Sequence, residues 1–66
     1  MKIKLNGKEQ IITEGMTLSA FIRAKALVPD RIVVEHNARI VPSDEWENVY
    51  IKDNDILEIL SFVGGG

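Results

Sequence analysis

Three successive glycines, Gly64, Gly65 and Gly66, are the residues of this 66-residue sequence whose type and spacing folding alone explains least. Glycine loses more conformational freedom on ordering than any other residue, so a run of three after an apolar strand does not stabilise a fold. Without Cβ atoms the run can pass a channel too narrow for a side chain. Three extended residues reach about 10 Å, at roughly 3.3–3.6 Å each. The group delivered is the carboxylate of Gly66, which has a free-chain pKa of about 3.3–3.7 and is an anion at neutral pH. A carboxylate can attack the α-phosphate of a nucleotide to give an acyl adenylate, which then accepts sulfur or an amine. A frayed end or a linker would explain the glycines without giving the carboxylate a role.

Other chemistry finds little support. The sequence has no cysteine, which excludes a disulfide framework, a zinc–cysteine site and thiol chemistry of its own. The one histidine, His36, lies beside Asn37 in a turn signal and reads as a surface turn. Ser19, Ser43 and Ser61 have no base nearby in sequence. Asp53-Asn54-Asp55 begins like a calcium loop, but Ile56 and Leu57 stand where a further ligand and a glycine are required, so it reads as a tight turn. Asp44, Glu45 and Glu47 could pair carboxylates. Splitting the pKa values of an acid pair needs an apolar pocket, which so short a chain does not offer.

The elements that would position the glycines follow from periodicity. Met1, Ile3 and Leu5 alternate with Lys2 and Lys4, as in a half-buried strand. Asn6-Gly7 is a hairpin signal, since both residues tolerate positive φ. Lys8 to Thr13 is the returning strand. Thr17 is expected to cap a helix with an apolar stripe at Leu18, Phe21, Ile22 and Ala26, ended by Pro29. Ile32-Val33-Val34 reads as a buried strand and Ile40-Val41 as a short one stopped by Pro42. Ser43 is a candidate cap for one helical turn through Trp46. Val49-Tyr50-Ile51 is a short extended piece, and the last strand runs from Ile56 to Val63. A hairpin, one helix and a mixed sheet make a two-layer α+β domain, with one sheet face left uncovered. In the last strand Leu57 and Ile59 have one parity and Ile56, Leu60 and Phe62 the other. If the first pair lies under the helix, Ile56, Leu60 and Phe62 form an apolar docking face for a partner. A central strand partly covered on both sides is the competing reading.

Length and charge set the frame. One domain fits, burying only about 60% of its unfolded surface, with 45% hydrophobic residues available for a core. Residues 1–30 carry five cations against three acids, and residues 31–66 carry three against seven. That distribution is wrong for neutralising phosphates, so no nucleic-acid partner is expected. An acidic half fits a basic partner surface or a solvated face. No apolar run approaches the roughly 20 residues that span a bilayer, and the alternating N-terminus is no signal core, so no membrane and a cytoplasmic location are expected.

Taken together, several segments make the sequence similar to the ThiS family of sulfur carriers over essentially its whole length. They are Asn6-Gly7, Val34-Glu35-His36-Asn37 with Ile40-Val41-Pro42, Trp46 after an acidic pair, Asp53 to Ile59, and Phe62-Val63-Gly64-Gly65-Gly66. The final diglycine is common to ubiquitin-like carriers; the central stretch with the Phe-Val-Gly ending is far more specific. The resemblance implies a ubiquitin-like β-grasp over residues 1–63, with first and last strands adjacent and parallel, and a flexible glycine tail at 64–66. It implies that a ThiF-type adenylating enzyme activates Gly66 with ATP and magnesium, with Gly64 and Gly65 threading the partner's active site. A cysteine desulfurase supplies sulfur, and a ThiG-type thiazole synthase takes it from the thiocarboxylate to build the thiazole of thiamine. The chain itself would be carrier and substrate rather than enzyme, with no cofactor of its own. A MoaD-type carrier for molybdopterin, a ubiquitin-like modifier of proteins and a plain interaction module with incidental glycines remain open from the residues alone.

Overall fold

In the computed structural model, which describes residues 1–62, the alternating N-terminal segment forms β1 (Lys2–Leu5). The chain reverses at Asn6 (φ 50°) and Gly7 (φ 83°), two left-handed positions of the kind an Asn-Gly hairpin requires. The returning strand β2 (Lys8–Ile11) pairs antiparallel with β1. It stops two residues short of the expected Thr13, although Ile12 still donates its N–H to the Met1 carbonyl at 2.9 Å.

Helix α1 (Leu18–Ala24) starts at Thr17, whose hydroxyl accepts from the Ala20 N–H at 3.1 Å. This satisfies one of the N–H groups that a helix start leaves without an intrahelical partner. Leu18, Phe21 and Ile22 are buried as the stripe predicts. Ala26 is not part of it: it lies past the helix end, exposed, at φ 57°. A short 3₁₀ turn at Pro29–Arg31 then leads into β3 (Ile32–His36). A tight turn through Asn37 (φ 49°) and Ala38 (φ 71°) joins it to β4 (Arg39–Ile40).

A second 3₁₀ turn covers Ser43–Asn48. Ser43 does not cap it; Pro42 holds the cap position and no side chain bonds there. Its fixed point is Trp46, buried, with the indole N–H donating to the Val41 carbonyl at 2.8 Å. Val49 to Ile51 runs extended against the start of α1: Leu18 N–H donates to Val49 O and Ile51 N–H to Met16 O, both at 2.9 Å. The last strand is β5 (Ile56–Ser61); the continuation expected through Val63 lies outside the described residues, as does the tail at 64–66.

The sheet order is β2-β1-β5-β3-β4. β5 therefore sits at the centre, parallel to β1 and antiparallel to β3. α1 crosses one face over a core of Ile3, Leu18, Phe21, Ile22, Ile32, Val34, Trp46, Ile51, Leu57 and Ile59. This is the β-grasp arrangement, and the central strand is the one that runs toward the glycines in the sequence.

Candidate functional site

Strand parity divides β5 as the sequence predicts. Leu57 and Ile59 are buried beneath the helix, while Ile56, Leu60 and Phe62 are 50%, 60% and 49% exposed. Leu60 sits opposite Val33 on β3, and Ile56 opposite Lys4 on β1. Ile40 on β4 adds another exposed apolar group at 66%. The uncovered face is bordered by charge of both signs: Lys2 and Lys4 come from β1, Glu35 and Glu58 from β3 and β5. Glu35 and Glu58 stand directly opposite one another. Like charges in that position are unfavourable within a sheet, so folding gives no reason for the pair.

The beginning of β5 is held differently, by polar groups whose tertiary role the sequence did not reveal. Asp55, read above as part of a tight turn, is 8% exposed and organises a network. Its carboxylate accepts from the Lys52 N–H at 2.8 Å and from the Asn37 amide at 3.0 Å, and pairs with His36 Nε2 at 2.7 Å. Burial by itself pushes the Asp55 carboxyl up. The Lys52 backbone N–H, the Asn37 amide and His36 together outweigh that and hold it below the ordinary carboxylate range. His36 is thus no surface turn residue: it ends β3 and is half-buried against Asp55. The neighbouring turn is also engaged, since Lys2 N–H donates to Asp53 Oδ1 at 2.8 Å and Asn54 N–H to Lys2 O at 2.7 Å.

Two asparagines complete the clamp on β5. Asn37 accepts from the Ile56 N–H through its side chain at 2.9 Å and donates its own N–H to the Ile56 carbonyl at 2.8 Å. Asn6 does the corresponding work on the other edge: its amide accepts from Ile59 N–H at 2.8 Å and donates to Ile59 O at 3.2 Å. Both were legible only as turn residues. The positive φ of Asn6 was foreseeable, but partners 19 and 53 residues away were not.

An open groove of about 750 Å³ lies at this pinned end, lined by His36, Arg39, Glu45, Tyr50, Lys52 and Asp55 among others. Glu45 and Asp44 are exposed, and the Asp55 carboxylate is already fully engaged, so the groove brings no acid pair together. No group of three or more metal-ligating side chains occurs among the described residues. No helix there is long and apolar enough to cross a membrane.

A five-stranded mixed sheet around one main helix, with an uncovered apolar face beside its central last strand, defines a ubiquitin-like β-grasp domain. The sequence profile of the ThiS family matches residues 3–66, and the chain belongs to the ThiS family. It is 31% identical over 65 residues to "Sulfur carrier protein ThiS" of Bacillus subtilis, covering 97% of this chain and 98% of that one. It is 36% identical over 66 residues to "Thiazole synthase" of Paramagnetospirillum magneticum, covering 100% of this chain but 20% of the relative. The chain thus spans about a fifth of the length of that thiazole synthase. Among solved structures, the crystal structure of thiamine biosynthesis protein ThiS from Geobacter metallireducens superposes with a TM-score of 0.86, at 26% identity and with complete coverage of both chains.

Proposed function

We propose that this chain is a sulfur carrier for thiamine biosynthesis. In this reading the Gly66 carboxylate is adenylated by a ThiF-type enzyme. A persulfide charged by a cysteine desulfurase then attacks the acyl adenylate, releasing AMP, and a thiol cleaves the resulting acyl disulfide to leave the thiocarboxylate and a disulfide. A ThiG-type thiazole synthase withdraws that sulfur for the thiazole ring. The chain contributes the carboxylate and the surface that presents it, and the partners contribute the chemistry.

The observation that carries the reading is the division of β5 in a ThiS-family chain. Leu57 and Ile59 are committed to the core, whereas Ile56, Leu60 and Phe62 remain exposed on the strand that leads to Gly64-Gly65-Gly66. Exposed apolar side chains grouped on one face give folding nothing and mark a contact surface. The opposed Glu35 and Glu58 beside them favour a partner that brings a cation. The names of the relatives, a sulfur carrier and a thiazole synthase, belong to the two ends of the same transfer.

Intact mass spectrometry of the chain, incubated with the adenylating enzyme, ATP, magnesium and a sulfur source, tests this directly. The expected product has one oxygen replaced by one sulfur. A chain of unchanged mass, in a reaction where a characterised ThiS is converted, would rule the proposal out.

A further inference from the structure

The register of the central strand leaves one rung of its ladder open. β3 and β5 pair with Ile32 opposite Ser61 and His36 opposite Leu57. In an antiparallel ladder alternate residues bond to the partner strand, and the residues between them aim their N–H and C=O at the opposite edge. Two bonds set the phase: Asn37 N–H to Ile56 O at 2.8 Å and Phe62 N–H to Arg31 O at 3.0 Å. Glu58 and Leu60 therefore bond to β3, and Leu57, Ile59 and Ser61 face the β1 edge. On that edge Asn6 N–H takes the Leu57 carbonyl at 2.9 Å, and the Asn6 side chain takes both main-chain groups of Ile59. β1 has already ended at Leu5, and the hairpin turns away. Ser61, an exposed residue, comes one rung later, and no described residue takes its N–H or C=O on that edge.

We propose that the Ser61 edge of β5 receives an extended strand from the enzyme that activates the glycine run. The carrier would then be docked by main-chain pairing as well as by its apolar face. The inference rests on the carrier reading above. The occupant follows from position: Ser61 lies between Leu60 and Phe62, the exposed apolar pair. Gly64 to Gly66 follow three to five residues after Ser61 in the sequence, so a protein that takes them up binds close to this edge. Strand addition of this kind draws affinity from backbone hydrogen bonds and specificity from alternate side chains, here Leu60 and Phe62. A second copy of the chain would gain a single rung, because Asn6 occupies the rung before it. Placing a side-chain amide there keeps the open edge short, which limits edge-to-edge self-association.

Amide hydrogen exchange with and without the ThiF-type adenylating enzyme reads the edge residue by residue. In the free chain Ile59, Leu60 and Phe62 should be protected and Ser61 should exchange fast. In the complex, before ATP is added, Ser61 should slow by at least about tenfold. Two variants separate backbone from side chain. Ser61→Pro removes only an N–H that faces away from β3, where proline is tolerated in a sheet; it should weaken the complex about tenfold or more with little change in Tm. Ser61→Ala should bind like the parent. A complex in which Ser61 stays unprotected, or in which Ser61→Ala weakens binding as much as Ser61→Pro, overturns the edge pairing while leaving the carrier reading intact. Failure of the unaltered chain to form any complex overturns both.

Discussion

The two ends of β5 are held in different ways. At its start the strand has neighbours on both edges: β1 on one, Asn37 and β3 on the other, with Asp55 tying Lys52, Asn37 and His36 together just before it. At its end β1 has gone, one asparagine amide stands in for it, and Leu60 and Phe62 are exposed. One strand thus has a first half tied on both edges and a last half with one edge open. The side chains exposed at the last half, Leu60 and Phe62, lie outside the buried core.

The largest effect is expected beyond the exposed end of β5. Deleting Gly65 and Gly66 should abolish ATP–pyrophosphate exchange with the adenylating enzyme and leave the thermal melt unchanged. A melt lowered by several degrees would mean that the glycines belong to the fold. Gly65→Val keeps the carboxylate but adds β-branched bulk and restricts the backbone. Thiocarboxylate formation should fall by orders of magnitude in a single-turnover assay, and near-normal yield would show that the channel tolerates side chains.

At the pinned end the effect should move to stability. Asp55→Ala leaves the Lys52 N–H, the Asn37 amide and His36 without their shared acceptor, at about 2–3 kcal/mol by denaturant unfolding. The sign of its pH dependence follows from the lowered Asp55 pKa. The carboxylate's contribution is complete above the unfolded value of about 3.9 and disappears as pH falls through the lower folded value. Asp55→Asn and the parent should therefore converge in stability as the solution is acidified below that range. A gap that persists or widens on acidification would contradict the assigned charge state.

Phe62→Ala should do the reverse of Asp55→Ala. Partner affinity is expected to drop about 30-fold, equivalent to about 2 kcal/mol, as for an interface anchor. The melt should hardly move, since a half-exposed side chain leaves little cavity. Unchanged affinity with a large stability loss would put Phe62 in the core after all. The smallest effect belongs to a position remote from both ends. Ala26 has φ 57° just past α1, a conformation that glycine adopts without steric cost. Ala26→Gly should raise stability by up to about 1 kcal/mol with no change in carrier activity, because relief of left-handed strain is partly offset by a freer unfolded chain.

What could be read in advance was whatever repeats over two to four residues. The alternation of Met1 to Leu5, the Asn6-Gly7 reversal, the Thr17 cap and the parity of Leu57 and Ile59 against Leu60 and Phe62 all depend on local spacing, and all appear in the structure. The Asp55 network and the Asn6 clamp depend on which turns the sheet order brings together. Asn, Asp and His look the same in a solvated turn and in one folded against a strand edge, so the sequence shows His36 as a surface turn and Asp55 as part of a tight turn and no more. Ala26 was drawn into the helical stripe because its spacing fits. Helix periodicity cannot register that the backbone has already turned left-handed, and alanine is an unusual residue for that turn. The apolar face was legible as a parity; the kind of partner proposed for it rests on likeness to the ThiS family.

The placement of β5 between β1 and β3 also governs the order in which the molecule can assemble. The backbone bonds that join β1 to β5, Lys4 N–H to Asp55 O and Asn6 N–H to Leu57 O, link residues far apart in the sequence, and such distant pairings form slowly because a long loop must close first. On a ribosome the hairpin, helix and β3 emerge before β5, so the sheet has a gap at its centre until β5 follows. If the exposed face of β5 docks a partner as proposed, that face comes into being only when the last strand has taken its place between its two neighbours.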